Sequence, residues 1–175
     1  PWRDTKVHLL THALHYASSV FEGERAYNGV IFKSRQHSER LHNSAKIMGF
    51  DIPYTVDQIE DAKKEALARS GLESAYIRAI AWRGSEMMGV SAQQNTIHLA
   101  IAVWHWGDYF ADKMKGIRLT HAQWRRPAPD TAPCHAKAAG LYMICTLSKH
   151  AAEKDGYADA LMLDYVIPPQ PNKFF

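Results

Sequence analysis

The residues best suited to chemistry in this 175-residue chain fall in one stretch, Cys134-His135-Ala136-Lys137-Ala138-Ala139-Gly140-Leu141-Tyr142. Lys137 stands there between small residues, after a polar, proline-broken loop (125–133) and before an amphipathic run. A solvated surface lysine has little need of alanine and glycine neighbours. A lysine that must lose its proton and attack an aldehyde does need close quarters, because an amine with a free pKa of about 10.4 is almost wholly protonated at neutral pH. The plain alternative is a lysine near a helix start whose small neighbours serve backbone packing. Arg35 falls in the first turn of an expected helix, where backbone N–H groups and a guanidinium together make an anion or phosphate seat; the alternative is an ordinary solvated arginine. Arg78 lies among apolar residues and, if it points inward, wants an anionic partner. His8, His12 and His15 recur at helix-like intervals, as a metal site would require. No carboxylate or thiolate joins them at a usual distance, so they read as packing or loop histidines and no metal is expected.

The elements that must position these groups follow from local signals. Ser18-Ser19 and β-branched Val20 argue against a long helix over 7–21. Asn28-Gly29 between alternating runs marks a hairpin with a primed two-residue turn. Ser34 reads as an N-cap for a helix whose apolar stripe is Leu41, Ala45 and Met48, ended by Gly49. Thr55 to Gln58 has capping-box spacing and opens a helix that runs to about Ser70, before Gly71. Tyr76 to Trp82 alternates as a strand, and 95–104 reads as a continuous apolar strand covered on both faces. An aromatic turn, His105-Trp106-Gly107-Asp108-Tyr109, breaks it, and polar 113–116 follows. Ile117 to Ala122 and Tyr157 to Asp164 read as strands. Between them Leu141, Ile144, Ser148, Ala151 and Ala152 share a helical face that Gly156 ends. The fold class is α+β in two domains: a complete small N-terminal domain (1–105), a linker (106–114), and the incomplete start of a larger domain (115–175).

Composition narrows the classes. Hydrophobic residues make up 46% and charged residues 22%, the balance of an ordinary globular protein. A formal charge of +3 without a run of five basic residues gives no footprint for nucleic acid. No apolar stretch is long enough to span a bilayer and no signal peptide opens the chain, so a membrane is not an expected partner. Two cysteines point away from a disulfide framework and toward a reducing, cytoplasmic setting. Pro1 and the end at Phe174-Phe175 both read as cuts or closed-up gaps.

Several motifs together resemble the branched-chain amino acid aminotransferases, class IV pyridoxal-phosphate enzymes of fold type IV. They are His12-Ala13-Leu14-His15-Tyr16, Ser19-Val20-Phe21-Glu22-Gly23 with Arg25 and Tyr27, and Phe32 with Arg35, His37 and Arg40-Leu41. Tyr76-Ile77-Arg78, Met88-Gly89-Val90, and Ala136-Lys137-Ala138 with Gly140 and Tyr142 complete the set. Each is weak alone, but six in the family's order and near its spacing are specific, and they cover nearly all of the chain up to Asp164. The resemblance implies that Lys137 bonds pyridoxal 5'-phosphate as an aldimine, that Arg35 binds its phosphate, and that Tyr142 hydrogen-bonds its phenolic oxygen. It also implies that Tyr16, Phe21, Gly23, Arg25, Tyr76, Arg78, Trp106 and Tyr109 line the substrate pocket. Val90 would lie in a loop contributed by a neighbouring subunit, which implies a homodimer or higher homo-oligomer.

The reaction so implied moves the amino group of leucine, isoleucine or valine to 2-oxoglutarate. Lys137 would serve as nucleophile and then as acid and base at the substrate's α-carbon. The alternatives within the fold are a D-amino acid or (R)-amine transaminase, or an aminodeoxychorismate lyase. The Phe21-Glu22-Gly23-x-Arg25 and Tyr76-x-Arg78 patterns favour the branched-chain reading. A non-catalytic fragment or degenerate homologue is the alternative of another class. It is motivated by 165–175, which lacks the glutamate that in the family pairs with the pyridine nitrogen. That tail reads as scraps of later segments or a truncation.

Overall fold

A computed structural model describes residues 2–110 and 113–165, with side chains of Trp2 and Lys113 left aside. The expectations placed on 166–175 lie outside the described residues. Two compact units are present, Pro1–Trp106 with His135–Gly140, and Gly107–Cys134 with Leu141–Phe175.

The first unit is a four-stranded antiparallel sheet backed by two helices. A short helix α1 (His12–Tyr16) leads into strand β1 (Ser19–Tyr27), which turns into β2 (Val30–Ile31). Asn28 and Gly29 both take positive φ, 50° and 75°, as a primed turn demands. Helices α2 (Ser34–Ile47) and α3 (Val56–Ser70) follow, then β3 (Ala75–Arg83) and β4 (Ile97–Trp104), in sheet order β2-β1-β3-β4. The capping box at α3 forms as expected: Gln58 N–H donates to Thr55 Oγ1, and the Thr55 N–H donates to Gln58 Oε1. Gly71 closes that helix in the left-handed conformation.

Strand alternation divides β1 between two faces. Val20, Glu22, Glu24 and Ala26 are buried toward the helices. There Ala26, Leu67, Ala75, Ile77 and Val103 form a core, with Ile31, Ala66, Leu72 and Ile101 packed against it. Phe21, Gly23 and Arg25 point to the opposite face.

Three expectations need correction. Ser34 is not the N-cap of α2: Lys33 occupies that position in a left-handed conformation (φ 54°), and the Ser34 hydroxyl donates instead to Glu60 Oε1 at 3.0 Å. A nearby carboxylate offers that hydroxyl a stronger acceptor–donor match than a helix amide does. The apolar strand begins at Ile97 rather than 95 and is not covered on both faces. It is the sheet's edge, and of its eight residues only Val103 is buried. Asn95 is drawn off into a loop, where its side chain binds Gly84 and Met87.

In the second unit the strands are shorter than their patterns suggested. Strand β5 (Leu119–His121) pairs in parallel with β6 (Asp159–Leu161), and helix α4 (Met143–Lys154) lies between them in sequence. Ser148 and Ala152 are the buried residues of α4.

Candidate active site

Register places the site face. Gly23 lies opposite Arg78 and Arg78 opposite Ala102; Arg25 lies opposite Tyr76 and Tyr76 opposite Trp104. Directly opposed residues share a face, so one side of the sheet collects Phe21, Gly23, Arg25, Tyr76 and Arg78. Gly23 is required there by close approach. A Cβ at that position would stand 2.1 Å from Tyr76 Oη and 3.0 Å from its Cζ. The Tyr76 ring is held in turn by Trp104 and Trp106, with centroids at 4.9 and 5.1 Å. Arg25 keeps the Trp106 backbone near, donating from Nη1 to its carbonyl at 2.9 Å.

His135–Gly140 belongs to this unit, although sequence reading put it inside 115–175. Its packing explains the grouping: Ala138 forms an antiparallel bridge to Val20, and the Phe21 N–H donates to the Lys137 carbonyl at 3.1 Å. Ala136 and Ala138 face inward and are buried, so Lys137 between them faces out. Its Nζ lies 4.8 Å from the centroid of Phe21. The Arg78 guanidinium lies 4.4 Å from the same centroid and donates from Nη2 to Tyr76 Oη at 2.8 Å. Arg78 Nε is buried without a hydrogen-bond partner among the described residues. The anionic partner expected of an inward arginine is therefore not supplied by a neighbouring side chain at Nε. An amine and a guanidinium on one aromatic ring, one of them with an unmet donor, suit a ligand carrying both a carbonyl and an anionic group. Pyridoxal phosphate and an amino-acid carboxylate have that chemistry, so the residues present fit the cofactor.

The other sequence-expected residues are placed elsewhere. Arg35 is exposed and pairs with Asp57 (2.7 Å) and Glu39 (3.3 Å). Those partners hold its pKa above the usual arginine value, first through the Asp57 hydrogen bond. A phosphate at Arg35 would compete with two carboxylates. Tyr16 stacks on His12 with centroids 4.6 Å apart. Val90 is 87% exposed, in the loop between β3 and β4. His12 links these two, because its ring nitrogens meet Ser18 Oγ at 2.6 Å and the Gly89 carbonyl at 2.7 Å. That gives His12 a structural task. Tyr109 and Tyr142 belong to the second unit; Tyr142 precedes α4, and its carbonyl accepts from Thr146 Oγ1 at 3.2 Å.

Behind the site face lies an ionic layer to which the sequence reading gave no role. Glu22 is fully buried and accepts from Arg40 Nε and Nη2, both at 2.6 Å, and meets His37 Nδ1 at 2.7 Å. Burial pushes its carboxyl up, but the hydrogen bonds and charges of Arg40 and His37 outweigh that and hold it below the usual value. Glu24 stands next to Lys63 at 2.7 Å, and both side chains are fully buried. Here burial prevails over Lys63, and the Glu24 carboxyl is raised. Lys63 also donates to Ser38 Oγ at 2.7 Å. The legible signal was the placing of Glu22 and Glu24 on the same face of β1 as Val20 and Ala26. Among the described residues no group of three or more metal-ligating side chains comes together.

Comparison with known proteins gives this geometry its context. The family model described as Amino-transferase class IV matches residues 19–165. The chain belongs to the class IV aminotransferase family. A Rickettsia felis protein named as a probable branched-chain-amino-acid aminotransferase is 41% identical over 167 residues, which are 94% of this chain and 56% of that protein. The crystal structure of the Escherichia coli branched-chain amino acid aminotransferase superposes with a TM-score of 0.90 at 38% identity, covering 94% of this chain and 56% of that one. The branched-chain amino acid aminotransferase from the source abbreviated T.th., solved with pyridoxamine 5'-phosphate, gives 0.88 at 38% identity, over 94% of this chain and 56% of that one. The chain thus spans little more than half the length of these relatives. Its α+β architecture is that of a fold type IV N-terminal domain with part of the C-terminal domain. Among the described residues no helix is long and apolar enough to cross a membrane.

Proposed function

We propose that the protein carrying this chain is a pyridoxal-phosphate transaminase that moves the amino group of branched-chain L-amino acids to 2-oxoglutarate. The observation that carries the reading is Lys137 Nζ beside Phe21, with Arg78 and Tyr76 bonded to each other on the same ring. When bound, pyridoxal phosphate supplies an aldehyde for the lysine and an electron sink for the substrate's α-carbon.

Lys137 Nζ is the nucleophile toward that aldehyde and afterwards the group that takes and returns the α-proton. Arg78 Nε and Tyr76 Oη bind a substrate carboxylate: the first has an unmet donor, and the second is held by Arg78 itself. Phe21, Trp104 and Trp106 give an apolar wall that suits an aliphatic side chain and excludes water. Discrimination among such side chains is about 1–3 kcal/mol per methylene, so leucine, isoleucine and valine are all accepted. Gly23 and Arg25 shape the same wall, with Tyr16, Val90 and Tyr109 as further substrate contacts. Arg35 binds the cofactor phosphate after exchanging its carboxylate partners, and Tyr142 binds the phenolic oxygen. The names of the relatives support this substrate class, and the relative solved with pyridoxamine 5'-phosphate supports the cofactor.

The protein works as a cytoplasmic homodimer in which the Val90 loop serves a neighbouring subunit. The domains are 1–105, a linker over 106–114, and a cofactor-binding domain that starts at 115. The test is chemical. Purified protein is mixed with pyridoxal phosphate, its visible absorbance is recorded, and borohydride reduction is followed by peptide mapping. The adduct is expected on Lys137, and Lys137→Ala is expected to lose both the adduct and transamination of leucine; turnover retained in that variant would refute the assignment.

A further inference from the structure

We infer that Ser44, on α2, is a positioning residue for Lys137. The inference rests on the reading of Lys137 as the cofactor lysine and adds the device that aims it. The Lys137 N–H donates to Ser44 Oγ at 3.0 Å, and Ser44 is fully buried, beside Leu41 and Ala45 on the inner face of α2. The Lys137 carbonyl accepts from the Phe21 N–H on β1. Two different elements thus hold the two polar groups of one peptide residue. The bridge from Val20 to Ala138 fixes the next residue as well.

With its N–H and C=O both anchored, the backbone of Lys137 is set, and with it the direction of the Cα–Cβ bond. That matters because a lysine carries its amine on a flexible four-carbon stem. A small tilt at the root becomes a large displacement at Nζ. The small neighbours have a reason in the same terms. Ala136 and Ala138 are buried, and a Cβ at Gly140 would come to 3.1 Å from the Ala17 Cβ. Larger side chains at these three positions would lift the segment away from β1 and α2 and lengthen the bond to Ser44.

Removing the Ser44 oxygen leaves the segment anchored on β1 alone, free to pivot about that edge. Misplacement of a reacting group by about 1 Å slows a reaction by about 10²-fold, so a partial loss of aim is expected to slow cofactor bonding by about tenfold. The test compares Ser44→Ala with Ser148→Ala in the protein carrying this chain. Ser148 is a second buried serine, and its Oγ has no partner among the described residues, so its loss is a control for removing a hydroxyl from a packed interior. Each variant is melted and mixed with pyridoxal phosphate. The rate of appearance of the visible band is followed, the borohydride-reduced peptide is mapped, and kcat and KM are measured separately.

The expected result for Ser44→Ala is a folded protein whose adduct on Lys137 forms about tenfold more slowly, with kcat lowered and KM changed little. Ser148→Ala is expected to match the parent, and Ser44→Thr, which keeps the oxygen, to recover most of the rate. An equal rate in Ser44→Ala and parent would overturn the inference, as would equal slowing by both alanine variants. If the parent itself forms no adduct at Lys137, the proposed function fails first and the role of Ser44 falls with it.

Discussion

Gly23→Ala probes the site face most directly, since only a hydrogen is replaced by a methyl group. The new Cβ would lie 2.1 Å from Tyr76 Oη, against a normal carbon–oxygen contact of about 3.3 Å, so the phenol must retreat by about 1.2 Å. It has nowhere to go at low cost. Its ring is buried and packed against Trp104 and Trp106, and its oxygen accepts from Arg78. Overpacking of this kind destabilises by about 1–3 kcal/mol. If the ring swings away, the bond from a charged donor is lost instead, worth about 1.5–3 kcal/mol. Either route puts the loss near 2 kcal/mol, roughly a 30-fold change in an equilibrium or rate constant. Chemical denaturation gives the stability term, and leucine transamination gives kcat/KM. Tyr76→Phe removes the atom at 2.1 Å and leaves only the ring carbon at 3.0 Å, so the two changes are expected to couple, with Gly23→Ala costing less in the Tyr76→Phe background. A Gly23→Ala protein equal to the parent in both assays, or strictly additive penalties in the double variant, would refute the close-approach argument.

Other predictions concern the layers behind the site. Arg40→Met leaves the buried Glu22 carboxylate with His37 alone. The expected loss at neutral pH is about 2 kcal/mol, less than the roughly 3–5 kcal/mol of a fully buried broken pair because Arg40 is half in water. Because the folded pKa of Glu22 is depressed, its contribution is complete above the ordinary carboxyl value of 4.5 and is lost as pH falls through the folded value. Arg40→Met therefore flattens the acid limb of a denaturation series, and an unchanged limb would remove Glu22 from the account. Glu24 runs the other way: its raised pKa makes ionisation a cost above the folded value, relieved as pH falls toward 4.5. Thr55→Ala breaks one bond of the capping box and is expected to cost about 1 kcal/mol by thermal melting.

How far the sequence could be read varies with the range of the interaction involved. Asn28-Gly29, Thr55 with Gln58, and Gly49, Gly71 and Gly156 after their helices are signals between residues a few positions apart, and the elements they mark are present in the structure. Ser34 misled because its competing acceptor, Glu60, is 26 residues away. The 95–104 run misled because an apolar stretch reads alike in a central strand and in an edge strand, and only the sheet order shows which it is. Family motifs singled out Phe21, Gly23, Arg25, Tyr76, Arg78, Trp106 and Lys137, which the structure brings into one chain of contacts. They gave no hint that Arg35 would face Asp57 and Glu39, or that Tyr16 would sit with His12.

By itself, then, the sequence determined the family, the mixed architecture, the hairpin and caps, and the lysine among small residues, because each is a local pattern or a set of residue types in order. Tertiary structure alone decided that Tyr76 closes over Gly23, that Glu22 and Glu24 form an ionic layer behind the site, and that Ser44 reaches Lys137 from 93 positions away. Those relations depend on strand register and helix docking, which bring together residues that no spacing along the chain relates.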